Sequence, residues 1–274
     1  MIDVAVVTLF NPETKVLANL KSYLPYVKEL LVVDNSKEPF DLSSLKKEFS
    51  SISILSHSQN LGIAKALNLA IVYAKSKGYH WLLTMDQDSF FSPNEIKKFI
   101  LYFNEVNHEN VAIFSPLHNK NFLKTNSNSN TEEDFLMTSG NIVNLNRAIK
   151  VGLFDERLFI DEVDHDFCLR LRGDDFRIIQ NHNCYINHNL GTKYENITLY
   201  SYRRLYYMVR NYLYIRDKHK KKWKIFFKNR DKYLLKFFLK QIIYSDYKKE
   251  AIQMIFKGIQ DYRNNLMGYR VELL

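Results

Sequence analysis

The N-terminal part of the chain alternates short apolar runs with longer segments whose apolar positions recur at helical spacing. Runs rich in Val, Ile and Leu at residues 4–9, 30–33, 52–55, 79–86 and 111–114 predict five β-strands. Polar or Pro-containing turn signals follow these runs. The pattern therefore predicts strands that end in polar loops.

The segments between these strands have the spacing of helices. Apolar residues predict helices over 16–27 and 63–76, and Ser92 followed by Pro93 predicts the first residues of another helix. Alternating strands and helices build a parallel sheet that is covered by helices. We therefore expect an α/β fold for roughly the first two hundred residues.

Polar clusters stand at the ends of the predicted strands. Asp34 ends the second run, Asn60 follows the third, and Asp86 and Asp88 end the fourth. In such sheets, ligands bind beyond the carboxyl ends of the strands. Two carboxylates held this close repel each other, so they favour a cation, an Arg or Lys side chain, or a shared proton. A hard divalent cation that also binds phosphate oxygens is the usual solution. An Asp-x-Asp pair alone is also typical of a solvated acidic turn, and only its place beside the other clusters favours a site.

A second group of carboxylates lies between residues 155 and 166, where six of twelve residues are acidic. From about residue 163 the pattern becomes helical, so several of these acids would fall in a first helical turn, where the helix dipole favours them. Pairing with Arg170 and Arg172 would complete a purely structural explanation.

This structural explanation accounts for Asp161 or Glu162 more easily than for Asp164 and Asp166. A carboxylate at the edge of a cleft is the group that accepts a proton from a hydroxyl nucleophile. Asp164 and Asp166 are therefore candidates for chemistry.

Composition indicates a soluble, enzyme-sized chain that forms one large domain or two small ones. The chain has 274 residues and is 46% hydrophobic, which is ample for a core. Cys168 and Cys184 form no CxxC pair and fit a reducing compartment. We expect no signal peptide, because the chain starts with a strand-like run, and no membrane-spanning segment, because no stretch of 18 apolar residues occurs.

The excess positive charge lies in the last quarter of the chain. Residues 1–200 contain 20 Lys/Arg and 24 Asp/Glu, whereas residues 201–274 contain 19 and 6, a net charge of +13. From Lys220 the lysines recur at every fourth residue up to Lys240. The apolar residues between them are Trp223, Phe226, Phe227, Leu234, Phe237, Phe238 and Ile242.

Two interpretations of this basic segment are open. It is either an amphipathic helix packed on the domain with its charges in water, or an interfacial helix on an anionic membrane with Trp and Phe below the headgroups. The polar segment 118–134 also has two interpretations, a mobile surface loop, which we favour, or an active-site lid.

Several segments, in order over residues 2–215, resemble family 2 inverting glycosyltransferases of the GT-A fold, and within them the bacterial rhamnosyltransferase-like group. The resembling segments are Val-Val-Asp-Asn-Ser (32–36), Gln-Asn-Leu-Gly-Ile-Ala-Lys-Ala-Leu-Asn (59–68), Met-Asp-Gln-Asp-Ser (85–89), Thr-Ser-Gly-Asn (138–141), Phe-Asp-Glu-Arg-Leu-Phe-Ile-Asp-Glu-Val-Asp-His-Asp-Phe-Cys-Leu-Arg (154–170), His-Asn-Leu-Gly (188–191) and Tyr-Tyr-Met-Val-Arg-Asn (206–211).

The resemblance implies a GT-A domain over 1–205, Rossmann-like with a mostly parallel central sheet flanked by helices. Its nucleotide-sugar half would cover about 1–116 and its acceptor half about 135–205. The basic, amphipathic region 206–274 would be a helical C-terminal extension.

The resemblance also implies a nucleotide-sugar pocket. Asp34 would bond the pyrimidine base, Lys65 would lie near phosphate, and Asp86 would contact ribose or metal. The residues of this pocket would be Thr8, Phe10, Asp34, Asn60, Gly62, Lys65 and Asp86.

A divalent cation, Mg²⁺ or Mn²⁺, would bridge the diphosphate. Asp88 and Asp86 would coordinate this cation, and His188 would approach it from the second half of the domain. Ser139, Gly140 and Asn141 would lie on the acceptor side.

Asp164 matches the acid of the family's Glu-Asp motif, which is the catalytic base. Here the preceding residue is Val163 rather than Glu, so Asp161 stays an alternative base. Inversion is a single in-line displacement that needs a base on the acceptor side and a charge sink under the leaving nucleoside diphosphate.

The function implied is transfer of L-rhamnose from dTDP-rhamnose to a saccharide or polyprenyl-linked acceptor in bacterial surface polysaccharide synthesis. A UDP-hexose donor is the alternative within this chemistry. We expect a cytoplasmic protein attached to the inner face of the cell membrane through residues 218–244.

Two non-enzyme functions are weaker. A nucleic-acid-binding protein would fit the basic segment, but both acidic clusters would repel phosphate, so we expect no nucleic-acid partner. A nucleotide-sugar-binding module without activity is disfavoured because Asp86, Asp88 and Asp164 occur together.

Overall fold

The computed structural model describes residues 1–118, 130–188, 193–194 and 197–270, which form two compact units. The first unit is residues 1–155 and 164–189, and the second is residues 156–163 and 190–274. The domain boundary at residue 205 stays a prediction. Most of the predicted surface loop or lid at 118–134 lies outside the described residues, as does the end of the resembling segment 188–191.

The first unit alternates strands and helices through most of its length. Its strands are β1 (Ile2–Leu9), β2 (Val27–Asp34), β3 (Ile52–Ser56), β4 (Trp81–Asp86), β5 (Ser89–Phe90), β6 (Val111–Leu117), β7 (Asn130–Glu132), β8 (Asn141–Asn144), β9 (Arg177–Tyr185) and β10 (Asn187–His188). Its helices are α1 (Val16–Lys21), α2 (Ser43–Glu48), α3 (Gly62–Ser76), α4 (Pro93–Glu105), α5 (Leu145–Lys150) and α6 (Val163–Gly173).

Eight of the described strands form one sheet in the order β3-β2-β1-β4-β8-β6-β9-β7. The pairs among β3, β2, β1 and β4 are parallel, and so is the β6–β9 pair, whereas β8 runs antiparallel between β4 and β6. The runs that form β1 and β6 are almost continuously apolar because both faces of a parallel sheet are covered. This mostly parallel sheet with flanking helices confirms the predicted fold class.

The helix predicted over 16–27 is shorter than the apolar spacing suggests. α1 ends at Lys21, a 3-10 turn covers Leu24–Tyr26, and Val27 already pairs with Ile2 as the first residue of β2. Pro25 explains the difference, because proline lacks the N–H that a helix interior requires and disfavours helical backbone at the residue before it.

The second unit is mostly helical. Its described elements are the 3-10 turn Glu156–Leu158, β11 (Lys193–Tyr194), β12 (Ile197–Thr198), α7 (Tyr202–His219), α8 (Lys224–Tyr244) and α9 (Lys248–Arg263). Gly258 of α9 allows α7 and α9 to approach closely. A Cβ on Gly258 would lie 2.6 Å from Val209 Cγ1 and 2.7 Å from the Tyr206 carbonyl oxygen, both on α7.

The helix that carries the regularly spaced lysines does not begin at Lys220, as their spacing predicts. α7 ends at His219 and α8 begins at Lys224, so Lys220 lies in the turn between two helices. Of the apolar residues between these lysines, Phe227 and Leu234 are buried in the second unit. No helix among the described residues is long and apolar enough to cross a membrane.

Candidate active site

Three neighbouring parallel strands of the first unit end in the predicted site residues. In the register of the sheet, Thr8 of β1 lies opposite Asp86 of β4, and Leu9 lies opposite Asp34 of β2. The strand ends therefore bring Asp34, Thr8 and Asp86 to one edge, as the sequence predicts. Phe10 follows directly and is 46% exposed.

Asp34 is buried, and its carboxylate organises the loop after β2. Asp34 Oδ1 accepts a hydrogen bond from the Ser36 N–H at 2.9 Å, and Oδ2 accepts one from the Phe40 N–H at 2.8 Å. In the structure Asp34 thus fixes the loop at this edge, and its bond to a base stays a prediction.

The loop before α3 is built by Asn60. Asn60 Oδ1 accepts a hydrogen bond from the Gly62 N–H at 2.9 Å, and Gly62 has the positive φ of 78° that glycine adopts most easily. Asn35, which sequence reasoning did not single out, joins this loop to the end of β2, because its Nδ2 donates to the Gly62 carbonyl at 3.3 Å. Lys65 lies exposed on the first turn of α3.

The turn Asp86-Gln87-Asp88 is held from two sides. Gln87 Oε1 accepts a hydrogen bond from the Phe10 N–H at 2.8 Å, and Asn19 Nδ2 donates to the Gln87 carbonyl at 2.8 Å. On the other side, the Asp86 N–H donates to Ser139 Oγ at 3.0 Å. The sequence did not predict a role for Gln87, because only the two flanking acids were interpreted.

His188 reaches the acidic turn through a short pair of strands. β10 pairs with β5, and His188 lies opposite Ser89. His188 Nε2 consequently lies 3.3 Å from Asp88 Oδ1 and 3.7 Å from Asp86 Oδ2. The structure therefore groups the three residues that the resemblance assigned to a metal.

The three side chains have the donor set and the spacing for a divalent cation. One ligand atom from each of Asp86, Asp88 and His188 lies within 4.8 Å of the others. Ligands at about 2.1 Å in octahedral geometry are roughly 3 to 4 Å apart, so this cluster fits an ion with modest adjustment. Two carboxylates and an imidazole suit Mn²⁺ at least as well as Mg²⁺.

His118 lies next to this cluster and was not predicted. Its ring centroid is 5.9 Å from that of His188, and its Nε2 is 2.7 Å from the Ser139 carbonyl. Burial, and then the neighbouring His188, lowers the pKa of His118 to about 4. His118 is therefore neutral near pH 7, and its Nε2–H donates to Ser139. His118 directly follows β6, which extends to Leu117 and is longer than the strand predicted over 111–114.

The segment Thr-Ser-Gly-Asn at 138–141 supports the turn that carries Asp86. Ser139 and Asn141 are buried, and Asn141 Nδ2 donates to the Met137 carbonyl at 2.9 Å. Gly140 has a φ of 83°, and a Cβ there would meet Ile186 Cδ1 at 3.1 Å. In the structure these residues shape the turn that holds Asp86, and their contact with an acceptor stays a prediction.

Three hydroxyl groups of the first unit are buried. Within the described part of the chain, the side-chain oxygens of Thr8, Tyr23 and Ser89 are buried without a hydrogen-bond partner. Burial, and then the charge on Asp86, raises the pKa of Tyr23, so its hydroxyl stays protonated. Unpaired buried hydroxyls are rare, and they are typical of places where water or a ligand completes the structure.

Three of the six acids of the second cluster form ion pairs with arginines. Within the first unit, Asp166 is fully buried and pairs with Arg170 one helical turn away at 2.8 Å. Asp166 was predicted as a candidate for chemistry, and this ion pair gives it a structural role. Within the second unit, Asp161 pairs with Arg204 at 2.9 Å and Glu162 pairs with Arg230 at 2.5 Å.

Asp164 has a different environment. It lies in the first turn of α6, where its Oδ1 accepts a hydrogen bond from the His165 N–H at 2.8 Å and lies 3.0 Å from His165 Nδ1. Its side chain is 23% exposed, so a hydroxyl can reach the carboxylate. The role of Asp164 as the catalytic base stays a prediction.

The family of the chain follows from its similarity to known sequences. The model of the family "Glycosyl transferase family 2" matches residues 5–167, which is more than half of the chain. The chain belongs to this family.

A curated relative and two solved structures are similar to the chain. The "dTDP-rhamnosyl transferase RfbF" of Shigella flexneri is 30% identical, over 78% of this chain and 80% of the relative. A GalNAc-T7 structure with UDP, GalNAc and Mn²⁺ shares the fold at a TM-score of 0.62 and 10% identity, over 97% of this chain but only 57% of that one. Residues 1–349 of S. aureus TarS with UDP-GlcNAc give a TM-score of 0.55 at 13% identity, over 96% and 73% of the two chains.

Proposed function

We propose that this glycosyltransferase moves L-rhamnose from dTDP-rhamnose to a saccharide or polyprenyl-linked acceptor in bacterial surface polysaccharide synthesis. The observation that supports sugar transfer most directly is the grouping of Asp86, Asp88 and His188 at the carboxyl edge of the sheet. The observation that favours rhamnose is the similarity to a dTDP-rhamnosyl transferase over most of both chains.

On the donor side, the loops after β1, β2 and β3 bind the nucleotide, and Lys65 approaches its phosphates. Asp86, Asp88 and His188 hold Mg²⁺ or Mn²⁺. When bound, this cation neutralises charge on the nucleoside diphosphate and so makes it a better leaving group.

On the acceptor side, Asp164 accepts the proton of the attacking hydroxyl. The acceptor oxygen forms a bond to the anomeric carbon while the bond from that carbon to the diphosphate oxygen breaks on the opposite face, so the configuration inverts. Asp161 is less suited to this role, because Arg204 donates to both of its carboxylate oxygens. The ion pair stabilises the charged carboxylate and makes it a weaker base.

We also propose that α8 attaches the protein to the inner face of the cell membrane, where a polyprenyl-linked acceptor is presented. The exposed face of α8 includes Ile225, Leu235, Leu239 and Ile243, which are 51% to 78% exposed. Exposed lysines lie among them at positions 228, 232, 236 and 240. Aliphatic side chains between lysines are typical of a helix that lies on an anionic bilayer. These aliphatic residues replace Trp223 and Phe226 as the apolar contacts, because the latter are half-buried.

A donor panel tests the proposed function. The protein is mixed with dTDP-rhamnose, UDP-glucose, UDP-galactose or UDP-GlcNAc, with and without Mn²⁺, and its thermal midpoint is measured. We expect the largest stabilisation with dTDP-rhamnose and Mn²⁺ together, since a ligand that binds only the folded state raises the midpoint. A larger shift with a UDP-hexose would reject rhamnose while keeping sugar transfer. No shift with any nucleotide sugar would reject the donor site.

A further inference from the structure

The loop that leads into α6 has an unfavourable backbone. Phe159, Asp161 and Glu162 have φ values of 62°, 60° and 63°. Residues other than glycine rarely adopt this left-handed conformation, and a loop that does so needs support from its surroundings. This loop, residues 158–162, is followed directly in the chain by Val163 and Asp164, the first residues of α6.

Asn211 of α7 supplies much of this support within the second unit. Its Nδ2 donates to the carbonyl oxygens of Leu158, Ile160 and Asp161 at 2.7, 2.6 and 3.1 Å. Asn211 is fully buried, so water does not compete for these bonds. Because this NH2 group has two hydrogens, at least one of them is shared between two carbonyls of the strained loop.

Arg210 fixes the orientation of the Asn211 amide. Arg210 Nε donates to Asn211 Oδ1 at 3.0 Å, which leaves Nδ2 facing the loop carbonyls. Arg210 is fully buried, and its Cζ lies 5.2 Å from the ring centre of Tyr206 and 5.0 Å from that of Tyr207. Its Nη1 donates to the Gly268 carbonyl at 2.8 Å. The segment Tyr206–Asn211, which was notable in the sequence, thus has a structural purpose.

Further contacts hold the same loop. The Gly268 N–H donates to the Arg157 carbonyl at 2.7 Å. Arg204 and Arg230 pair with the side chains of Asp161 and Glu162. The backbone and both acidic side chains of the loop are therefore bound by residues of the C-terminal helical unit.

We propose that Asn211, oriented by Arg210, is a positioning residue for the catalytic base. It holds loop 158–162 in the conformation from which α6 begins, and so sets the place of Asp164 through the chain that joins them. This inference rests on the proposed function for the role of Asp164. It predicts that the C-terminal helical unit is required for turnover, beyond any attachment to a membrane.

The test compares two changes at Asn211 with a matched control. Asn211→Ala removes the amide, and Asn211→Asp keeps its size but turns an oxygen toward the loop carbonyls. Gln241→Ala is the control, because Gln241 is an equally buried amide of the second unit that bonds the Tyr200 N–H and the Thr198 carbonyl, away from the loop. Each variant is measured below its own thermal midpoint by hydrogen–deuterium exchange and by steady-state hydrolysis of dTDP-rhamnose.

We expect both Asn211 variants to exchange faster in peptides covering 156–166, with the larger effect in Asn211→Asp. We expect kcat to fall by about ten- to a hundredfold while KM for the donor changes little, because misplacing a reacting group lowers kcat. Gln241→Ala should change neither the exchange of these peptides nor kcat.

Two results would overturn the inference. Unchanged exchange over 156–166 in both Asn211 variants would show that the amide does not hold the loop. Faster exchange with unchanged kcat would show that the loop does not position the base. If wild-type protein hydrolyses no nucleotide sugar, the proposed function fails, but the exchange result still decides whether Asn211 holds the loop.

Discussion

His188 Nε2 lies 3.3 Å from Asp88 Oδ1, although the two residues are far apart in the sequence. The contact depends on the pairing of β10 with β5, which sets His188 opposite the residue that follows Asp88. A histidine against two carboxylates completes a cluster with the donor atoms of a divalent cation site.

The first prediction concerns this cation. Asp88→Ala and EDTA should each lower the affinity for dTDP roughly tenfold or more, because loss of a ligand weakens metal binding at least as much as loss of its supporting partners. The fold should survive, since Asp88 lies in a half-buried turn outside the hydrophobic core. Isothermal calorimetry with Mn²⁺ measures the affinity. Asp174→Ala, an exposed acid of the same unit, is the control and should bind dTDP normally.

The second prediction concerns the base. Asp164→Asn is nearly isosteric but does not accept a proton, so kcat should fall by roughly a hundredfold or more with donor binding near wild type. Asp161→Asn should lose far less, because Arg204 already binds that carboxylate. Single-turnover rates together with donor titration separate the two effects. Normal turnover in Asp164→Asn with a large loss in Asp161→Asn would make Asp161 the base.

The third prediction concerns packing in the second unit. Gly258→Ala should destabilise this unit by about 1–3 kcal/mol, because the new Cβ would lie 2.6 Å from Val209 Cγ1 and overpacking has that cost. Urea unfolding followed by circular dichroism measures the loss. Gln253→Ala, at an exposed position of the same helix, should change stability by less than about 0.5 kcal/mol. Equal stability of the two variants would contradict the close approach of α7 and α9.

The fourth prediction concerns membrane attachment. Changing Lys228, Lys232, Lys236 and Lys240 to Gln should weaken binding to anionic liposomes, since each lysine near the surface contributes about 1 kcal/mol. Changing Leu235, Leu239 and Ile243 to Ser should weaken the part of binding that persists in high salt, because salt screens only the charges. Co-sedimentation measures both.

The control for this prediction removes the same charge from the first unit, at the exposed Lys46, Lys47, Lys77 and Lys97. This variant should sediment with the liposomes like wild type. If both lysine variants bind the liposomes equally weakly, binding depends on the net charge of the protein and not on α8. If the wild-type protein does not sediment with the liposomes, α8 does not bind the membrane and its lysines are only solvated.

The sequence predicted the strand ends well because apolar runs and polar ends follow directly from the geometry of a parallel sheet. Asp34, Asp86 and Asp88 could be placed at one edge on this basis alone. The position of His188 could not, because it depends on the pairing of two-residue strands that have no distinct pattern. Asp161, Glu162, Asp164 and Asp166 looked alike in the sequence. The arginine partners of Asp161, Glu162 and Asp166 became visible only in the structure.

In the C-terminal region, the ends of the helices could likewise not be predicted from the sequence. The lysine spacing suggested one helix from Lys220, but the chain turns between His219 and Lys224. The sequence also did not predict which apolar residues of this region are exposed. Phe227 and Leu234 are buried by tertiary contacts, which a local sequence pattern does not indicate.

Release of dTDP from dTDP-rhamnose tests the central claim most directly. Wild type, Asp88→Ala and Asp164→Asn are each incubated with dTDP-rhamnose or a UDP-hexose, with Mn²⁺ or EDTA, and the nucleoside diphosphate released is measured by chromatography. We predict release of dTDP by wild type with Mn²⁺, with far slower release by both variants and in EDTA. Faster release of UDP from a UDP-hexose, or release that is equal in wild type and Asp88→Ala, would contradict the account.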